Sequence, residues 1–448
     1  MKIHLISIGG AVMHNMALAL QQNGHTVTGS DDEIFEPSRS RLDKAGLLPT
    51  KMGWDASRIN PQLDLVILGM HARENNPELL KAQELGLEVV SFPEYVAQHA
   101  KEKIRVVVAG SHGKTTTTAM IMHVLKSQDM DFDYLVGSQL EGFDTMVRFS
   151  DAPVVIIEGD EYLSSPIDRI PKFLWYRPHY AIITGIAWDH INVFPTFDNY
   201  VRQFDLFMDT MSPGGTLFYY EHDPSMHKLV SKTRKAELIP YSAPAYQVVK
   251  GKNRIQIDGI NYTTQVVGRH NLENMMSALE ICAKLGIDKE AAIEALATFG
   301  GTARRLEPWL DSKKMKVFRD FAHSPSKLKA TVAGVKEQYP KHKLYAFFEL
   351  HTFSSLQKEF IPLYEDAMEE ADEATVFFHE HVFEMKKMPI LSKDYIKEEF
   401  GDVEVINETW KLHDLIQNAV QAKEKAVVLL MSSGTFDGLN KELLLSWS

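Results

Sequence analysis

Short runs of β-branched and apolar residues recur along this 448-residue chain, and helical patterns separate them. Residues 3–8 read as a strand, 13–23 as a helix and 25–28 as a second strand, with two more strands at 63–68 and 88–91. A strand, a helix and another strand make the βαβ unit, whose strands lie parallel under covering helices. The same alternation returns at 104–109, 154–157 and 180–184, and again at 315–319, 344–349, 374–378 and 426–431. Residues 251–267 alternate instead and carry Asp258-Gly259, the mark of a hairpin. So long a chain exceeds one hydrophobic core. The economical expectation is α/β: three consecutive α/β domains over 1–98, 99–299 and 300–448, with Lys101-Glu102-Lys103 as a charged linker.

The charge balance narrows the partners. Sixty acidic residues against 48 basic ones leave a net charge of −12. That disfavours a nucleic-acid surface, which needs clustered Lys and Arg, without excluding a local pocket for a small anion. The single cysteine, Cys282, rules out an intrachain disulfide and fits a reducing compartment. Its apolar neighbours at 278–283 suggest a buried thiol rather than a nucleophile. Residues 3–20 resemble a secretion signal only loosely, because Gly9-Gly10 and His14-Asn15 interrupt the apolar stretch. No apolar run reaches the roughly 18 residues of a membrane span. A cytoplasmic protein without membrane insertion is expected.

Five constellations carry chemistry. In 105-RVVVAGSHGKTTTTAM-120 a strand runs into a glycine-rich turn and a lysine, and a helix opens in the threonines. Backbone N–H groups of Gly110, Ser111, His112, Gly113 and Lys114 can surround phosphate oxygens, Lys114 can neutralise them, and Thr115 can ligate Mg²⁺. The plainer alternative is a turn with a solvated lysine. The long pattern G-x-x-x-x-G-K-[ST] would need glycine at Val108. Next, the strand of 154-VVIIEGDEY-162 ends in Glu158, Asp160 and Glu161, which either hold a metal or form a polar strand end. A third strand delivers Asp189-His190, and Thr115, Glu158 and His190 together make an oxygen and nitrogen set suited to a cation bridging phosphates. In 268-GRHNLENMMSAL-279, Asn271 and Asn274 share a helix face and can contact a purine edge, unless Asn271 is only a cap. Finally, Arg305 in 302-TARRLE-307 and Asp320 in 320-DFAHSP-325 can grip phosphate and ribose, while His323 reads equally as a turn residue.

The N-terminal strand adds a weaker signal. Gly9-Gly10-Ala11 sits at its strand-to-helix turn and Asp31 ends the second strand, as in dinucleotide folds, though the full G-x-G-x-x-G is absent.

Together these motifs resemble the Mur ligase family of ATP-dependent, amide-forming cell-wall enzymes, over nearly the whole chain. Gly110-Ser111-His112-Gly113-Lys114-Thr115 is similar to the family's short loop G-[ST]-H-G-K-T, which has no glycine at the Val108 position. The resemblance implies a Rossmann-like UDP-sugar domain, a P-loop ATPase-like central domain and a Rossmann-like C-terminal domain that binds the amine substrate. It implies catalytic roles for Lys114, Glu158 and His190, with Mg²⁺ on Thr115, Glu158 and His190. ATP is assigned to residues 110–115, Thr116, Asn271, Asn274, Arg305 and Asp320. The UDP-sugar is assigned to Gly9, Gly10, Ala11, Asp31 and His71, and the amine substrate to His323 and His351. Segments 25-HTVTGSD-31, 158-EGDEY-162 with the insertion 167–176, 320-DFAHSP-325 and 431-MSSGTFDGL-439 resemble members that join UDP-N-acetylmuramate to L-Ala-γ-D-Glu-meso-diaminopimelate. Sister members use L-alanine. A monomer or weak homo-oligomer is expected. Three departures stand out: Ser7-Ile8-Gly9-Gly10-Ala11-Val12-Met13 for G-I-G-G-x-G-M, Ser324 for a second histidine, and 349-ELHTFSS-355 for E-P-R-S-N-T.

Overall fold

The computed structural model of the chain describes residues 1–232, 234–302 and 305–447. The chain divides into two compact units. The first comprises Met1–Ile186, Asp198–Tyr241 and Ser277–Ala292, and the second Ala187–Phe197, Ser242–Met276 and Ile293–Ser448.

Two sheets build the first unit. Strands β1 (Lys2–Ile6), β2 (Thr26–Ser30), β3 (Leu65–Leu68) and β4 (Val89–Ser91) pair in parallel in the order β2-β1-β3-β4. All four residues of β3 are buried, as a strand covered on both faces requires. Helix α1 (Ala11–Gln22) returns from β1, and α2 (Ser38–Lys44) follows β2; α3 (Pro77–Glu84) and α4 (Phe92–His99) complete the layer. The helix expected at 13–23 thus begins two residues earlier, straight after Gly10.

The second sheet contains β5 (Ile104–Ala109), β6 (Asp133–Leu135), β7 (Val147–Arg148), β8 (Val154–Glu158), β9 (Tyr180–Ile183), β10 (Thr216–Tyr220) and β11 (Glu237–Tyr241). Their order is β11-β10-β9-β5-β8-β6-β7, parallel except for the β6–β7 edge pair. Helices α5 (Lys114–Ser127), α6 (Phe197–Asp209) and α7 (Pro224–Val230) accompany it. Lys103 corrects the linker reading. Its side chain is buried and its Nζ donates to the carbonyls of Ser150 (2.6 Å) and Ala152 (2.7 Å), 2.9 Å from Asp133. A buried ammonium must be satisfied in this way; it is an anchor of the sheet edge.

The second unit holds an antiparallel sheet of β12 (Ala245–Val249), β13 (Lys252–Ile257) and β14 (Ile260–Thr264), so the expected hairpin gains a third strand. Helices α8 (Arg269–Lys284) and α9 (Lys289–Ala297) follow in the chain, with residues from Ser277 to Ala292, Cys282 among them, counted in the first unit. Cys282, within α8, is fully buried as expected, and burial pushes its thiol up to about 12. The larger sheet contains β15 (Glu307–Asp311), β16 (Met315–Asp320), β17 (Lys343–Glu349), β18 (Glu373–Phe377), β19 (Glu404–Ile406) and β20 (Ala426–Met431), in the order β15-β16-β20-β17-β18-β19. Only β15 is antiparallel. Strand β20 shows why a parallel centre reads as an unbroken apolar run. Val427, Leu429 and Met431 join one core cluster, while Ala426, Val428 and Leu430 join the other.

Candidate active site

Strand β5 occupies the middle of its sheet, between β9 and β8. Val108 pairs across to Glu158 on one side and Ile182 on the other, so it belongs to the strand and the turn begins only after Ala109. The turn then needs glycine at Gly110 (φ 125°) and Gly113 (φ 73°), a region that L side chains rarely adopt. Neighbouring strand ends pin it: Ser111 N donates to Gly185 O at 2.9 Å, and Thr184 Oγ1 donates to His112 O and, at 3.2 Å, to Ala109 O. Helix α5 starts at Lys114 and aims its unpaired first-turn N–H groups at the turn, a ready site for anions.

The charged side chains here are paired with one another. Lys114 Nζ donates to Glu161 Oε2 at 2.7 Å and to Gly110 O at 2.6 Å. Tyr200 OH donates to the other oxygen, Glu161 Oε1, at 2.8 Å and lies 2.9 Å from Ser111 Oγ. Burial opposes the Lys114 charge, but the carboxylates of Glu161, Asp160 and Glu158 outweigh it and hold the ammonium above its ordinary pKa. Thr115 Oγ1 donates to Glu158 Oε1 at 2.8 Å, and Gly137 N donates to Glu158 Oε2 at 2.8 Å. Asp160 is engaged elsewhere, with Lys172 Nζ at 2.5 Å.

These pairings suit exchange. A phosphate oxygen can replace Glu161 at the Lys114 ammonium, and a cation can take the hydroxyl and carboxylate oxygens of Thr115 and Glu158. That donor set is hard and fits Mg²⁺. No group of three or more His, Cys, Asp or Glu among the described residues forms a self-contained metal site.

At the N-terminal turn, Gly9 N donates to Asp31 Oδ2 at 2.7 Å. Asp31 is buried, and this raises its pKa to about 6, against the opposing pull of the Gly9 amide. Gly10 precedes α1 and Ala11 opens it. His71 is exposed on the loop leaving β3, the strand beside β1.

Two family models match the chain: the Mur ligase family catalytic domain over residues 2–104 and the Mur ligase middle domain over 108–282. A UDP-N-acetylmuramate–L-alanine ligase from Arthrobacter sp. is 30% identical over 84% of this chain and 80% of its own length.

The chain belongs to the Mur ligase family.

It is accordingly an ATP-dependent, ADP-forming amide ligase. A UDP-N-acetylmuramate–L-alanyl-γ-D-glutamyl-meso-2,6-diaminoheptandioate ligase from Haemophilus influenzae is 29% identical over 75% of this chain and 76% of its own length. A solved murein peptide ligase from Psychrobacter arcticus superposes with a TM-score of 0.68 at 23% identity, over 100% of this chain and 98% of that one. Mur ligase structures of this kind have three-domain α/β architecture, and this chain shares the fold.

The other motif residues of this Mur ligase lie in its second unit. Asn274 Nδ2 donates to Asn271 Oδ1 at 3.2 Å, so the two do share a face of α8. His270, at the start of that helix, has its pKa lowered by burial, with Asp320 opposing. Asp320 accepts from the amides of Leu306 (2.8 Å) and Ala322 (2.7 Å), and the Arg305 guanidinium stacks 4.8 Å over Phe321. His190 adopts φ 54°, and its N–H donates to Asp189 Oδ1 at 2.7 Å. His323 Nδ1 faces Phe321 O at 2.8 Å, which fixes the proton on Nδ1 and leaves Nε2 an acceptor, 3.9 Å from Asp189. Burial, aided by Lys327, drives the His323 pKa down and keeps the ring neutral. Thr115 and Glu158 are therefore joined in one unit, whereas His190 stands beside Asp189 and His323 in the other.

Several residues escaped sequence reasoning. Glu161 was visible only as one acid among three, yet it holds Lys114. Tyr200, Thr184 and Gly137 carried no motif at all. In the second unit Glu349 accepts from Phe436 N (2.9 Å) and Ser432 Oγ, and Arg319 Nη2 donates to Gly434 O (2.6 Å). His351 lies beside them, its Nδ1 3.4 Å from Ser433 Oγ. The signal available was position: all three segments end parallel strands at the carboxyl edge, where α/β folds bind ligands.

Proposed function

We propose that this Mur ligase joins UDP-N-acetylmuramate to the tripeptide L-Ala-γ-D-Glu-meso-diaminopimelate. The Lys114–Glu161 and Thr115–Glu158 pairs beside the glycine turn carry the reading of the nucleotide site. Similarity to the Haemophilus influenzae enzyme and the four segments quoted above support the tripeptide. One of those segments, the insertion 167–176, is a packed excursion: Ser164 N bonds Ile170 O at 2.9 Å, and Phe173 stacks on Phe207 with ring centres 4.7 Å apart.

In this scheme the muramyl carboxylate attacks the γ-phosphorus, ADP leaves, and an acyl phosphate forms. The tripeptide amine then attacks the acyl carbon, phosphate leaves, and a proton is released. Phosphoryl transfer demands mainly positioning and charge neutralisation. Lys114 supplies the cation, held by Glu161 until a phosphate oxygen replaces it, and Tyr200 anchors Glu161. Thr115 and Glu158 are the proposed holders of Mg²⁺, with His190 assigned by motif; bound there, the ion would offset charge on the phosphates and the carboxylate. Asn271, Asn274, Arg305 and Asp320 are assigned to the nucleotide by their motifs, and His323 and His351 to the amine substrate. We further propose domain boundaries at 1–98, 99–299 and 300–448, cytoplasmic location and a monomer or weak homo-oligomer. No helix among the described residues is long and apolar enough to cross a membrane.

The second reading is an L-alanine ligase, favoured by the Arthrobacter relative. Phosphate release from ATP with UDP-N-acetylmuramate and either L-alanine or the tripeptide decides between them. The expected result is release with the tripeptide and little with L-alanine; the reverse overturns the tripeptide assignment.

A further inference from the structure

Helix α1 carries two buried polar residues, His14 and Asn15, amid apolar ones. Asn15 is fully buried and its hydrogen bonds come from separate segments. Its Oδ1 accepts from Arg41 Nη1 (3.0 Å) and from Met146 N (3.0 Å), and its Nδ2 donates to Ala11 O (2.8 Å). Arg41, on α2, donates from Nη2 to Gln139 Oε1 (3.0 Å) and to Asp144 O (2.6 Å). His14 Nδ1 reaches Gly10 O and Ser38 Oγ, both at 2.9 Å, tying the α1 start to α2.

Residues 136–147 are thereby gripped on both limbs, which are also joined by Val136 N and Met146 O at 2.9 Å. Two residues before Gln139, Gly137 N bonds Glu158. An unbroken set of contacts thus runs from the turn at Gly9–Ala11, through α1, Asn15, Arg41 and the loop, to the carboxylate that meets Thr115. Packing α1 on its sheet needs no such groups. An amide buried there is tolerated only because every partner arrives in place.

We infer that Arg41, with Asn15, is a positioning residue that couples occupation of the N-terminal turn by the sugar nucleotide to the placement of Glu158 beside the glycine turn. This rests on the UDP-sugar reading above. Coupling of two sites is reciprocal and measurable as a ratio of affinities. The test measures the dissociation constant of a non-hydrolysable ATP analogue with Mg²⁺, with and without saturating UDP-N-acetylmuramate, in the full chain. Wild type is expected to show a ratio in the range of about 5–150, and Arg41→Ala a ratio near one with analogue affinity in the absence of sugar unchanged. A general structural defect would weaken analogue binding in both conditions and leave the ratio intact. Gln139→Ala, an exposed change that removes one Arg41 partner, is expected to give an intermediate ratio, and it decides the matter if Arg41→Ala does not fold. A full wild-type ratio in the folded variants, or a ratio of one in wild type, overturns the inference. Failure of wild type to bind UDP-N-acetylmuramate at all overturns the substrate reading and this inference with it.

Discussion

The two large sheets differ in how they hold the acids at their carboxyl edges. At the end of β5 and β8, Lys114 meets Glu161 and Thr115 meets Glu158, side chain to side chain. At the end of β16, Asp320 accepts from the backbone amides of Leu306 and Ala322. Glu349, at the end of β17, has one backbone donor (Phe436) and one hydroxyl donor (Ser432), as Glu158 has Gly137 and Thr115, but it is buried where Glu158 is half-buried. A side-chain pair can open when a competing anion or cation arrives, because each partner keeps its own anchor. A carboxylate wrapped by backbone N–H groups cannot leave without stranding buried donors, each costing about 1–3 kcal/mol. On the proposed reading, the first edge exchanges its pairs for ligand, while at the second Asp320 stays framed by backbone amides and Glu349 stays buried.

The largest expected break in this contrast is Lys114→Ala. Removing the cation fixed at the glycine turn should lower amide formation by about a thousandfold, as loss of a charge-stabilising donor does elsewhere. Steady-state phosphate release checks it, and near-normal turnover would contradict the assignment. Gly137→Ala comes next. A methyl there would sit 3.1 Å from Glu158 Oε1 and 3.2 Å from Oε2, shifting the acid while leaving Lys114 alone. About a tenfold loss of turnover is expected, near 1.4 kcal/mol, with folding preserved.

Glu349→Gln addresses the second edge. Replacing a carboxylate that is 3% exposed and bonded by Phe436 N and Ser432 should destabilise the chain by about 1–3 kcal/mol. Denaturant midpoints report the loss, while affinity for an ATP analogue should stay unchanged. A drop in that affinity without a drop in stability would erase the contrast.

The smallest effect concerns pH. Asp31 has a folded pKa raised to about 6, so it contributes stability below its unfolded value near 4 and withdraws it as pH climbs through 6. Asp31→Asn should therefore melt a few degrees higher than wild type at pH 7.5 and show no advantage at pH 4. A melting difference independent of pH would place the buried charge elsewhere.

Much of this was legible beforehand. Strands β5, β8, β9, β17, β18 and β20 are largely apolar runs of four to seven residues, long enough to announce themselves. Strands β6 and β7, of three and two residues, show no period and gain their identity from neighbours. Glycine, lysine and threonine spacing announced the glycine turn and the helix opening at Lys114, because both are local in sequence. Its orienting partners were hidden because Tyr200 and Gly137 reach it only through tertiary packing. Lys103 misled for a related reason: a charge flanked by charges reads as solvated until its carbonyl partners, almost fifty residues away, are known.

The exchange of side-chain pairs for ligand is the central idea, and a crystal structure with a non-hydrolysable ATP analogue and Mn²⁺ tests it directly. The expected result is an anomalous peak about 2.1 Å from Thr115 Oγ1 and from a Glu158 oxygen, with Lys114 Nζ turned from Glu161 onto a phosphate. A metal bound elsewhere, with both pairs still closed around the bound nucleotide, would contradict it.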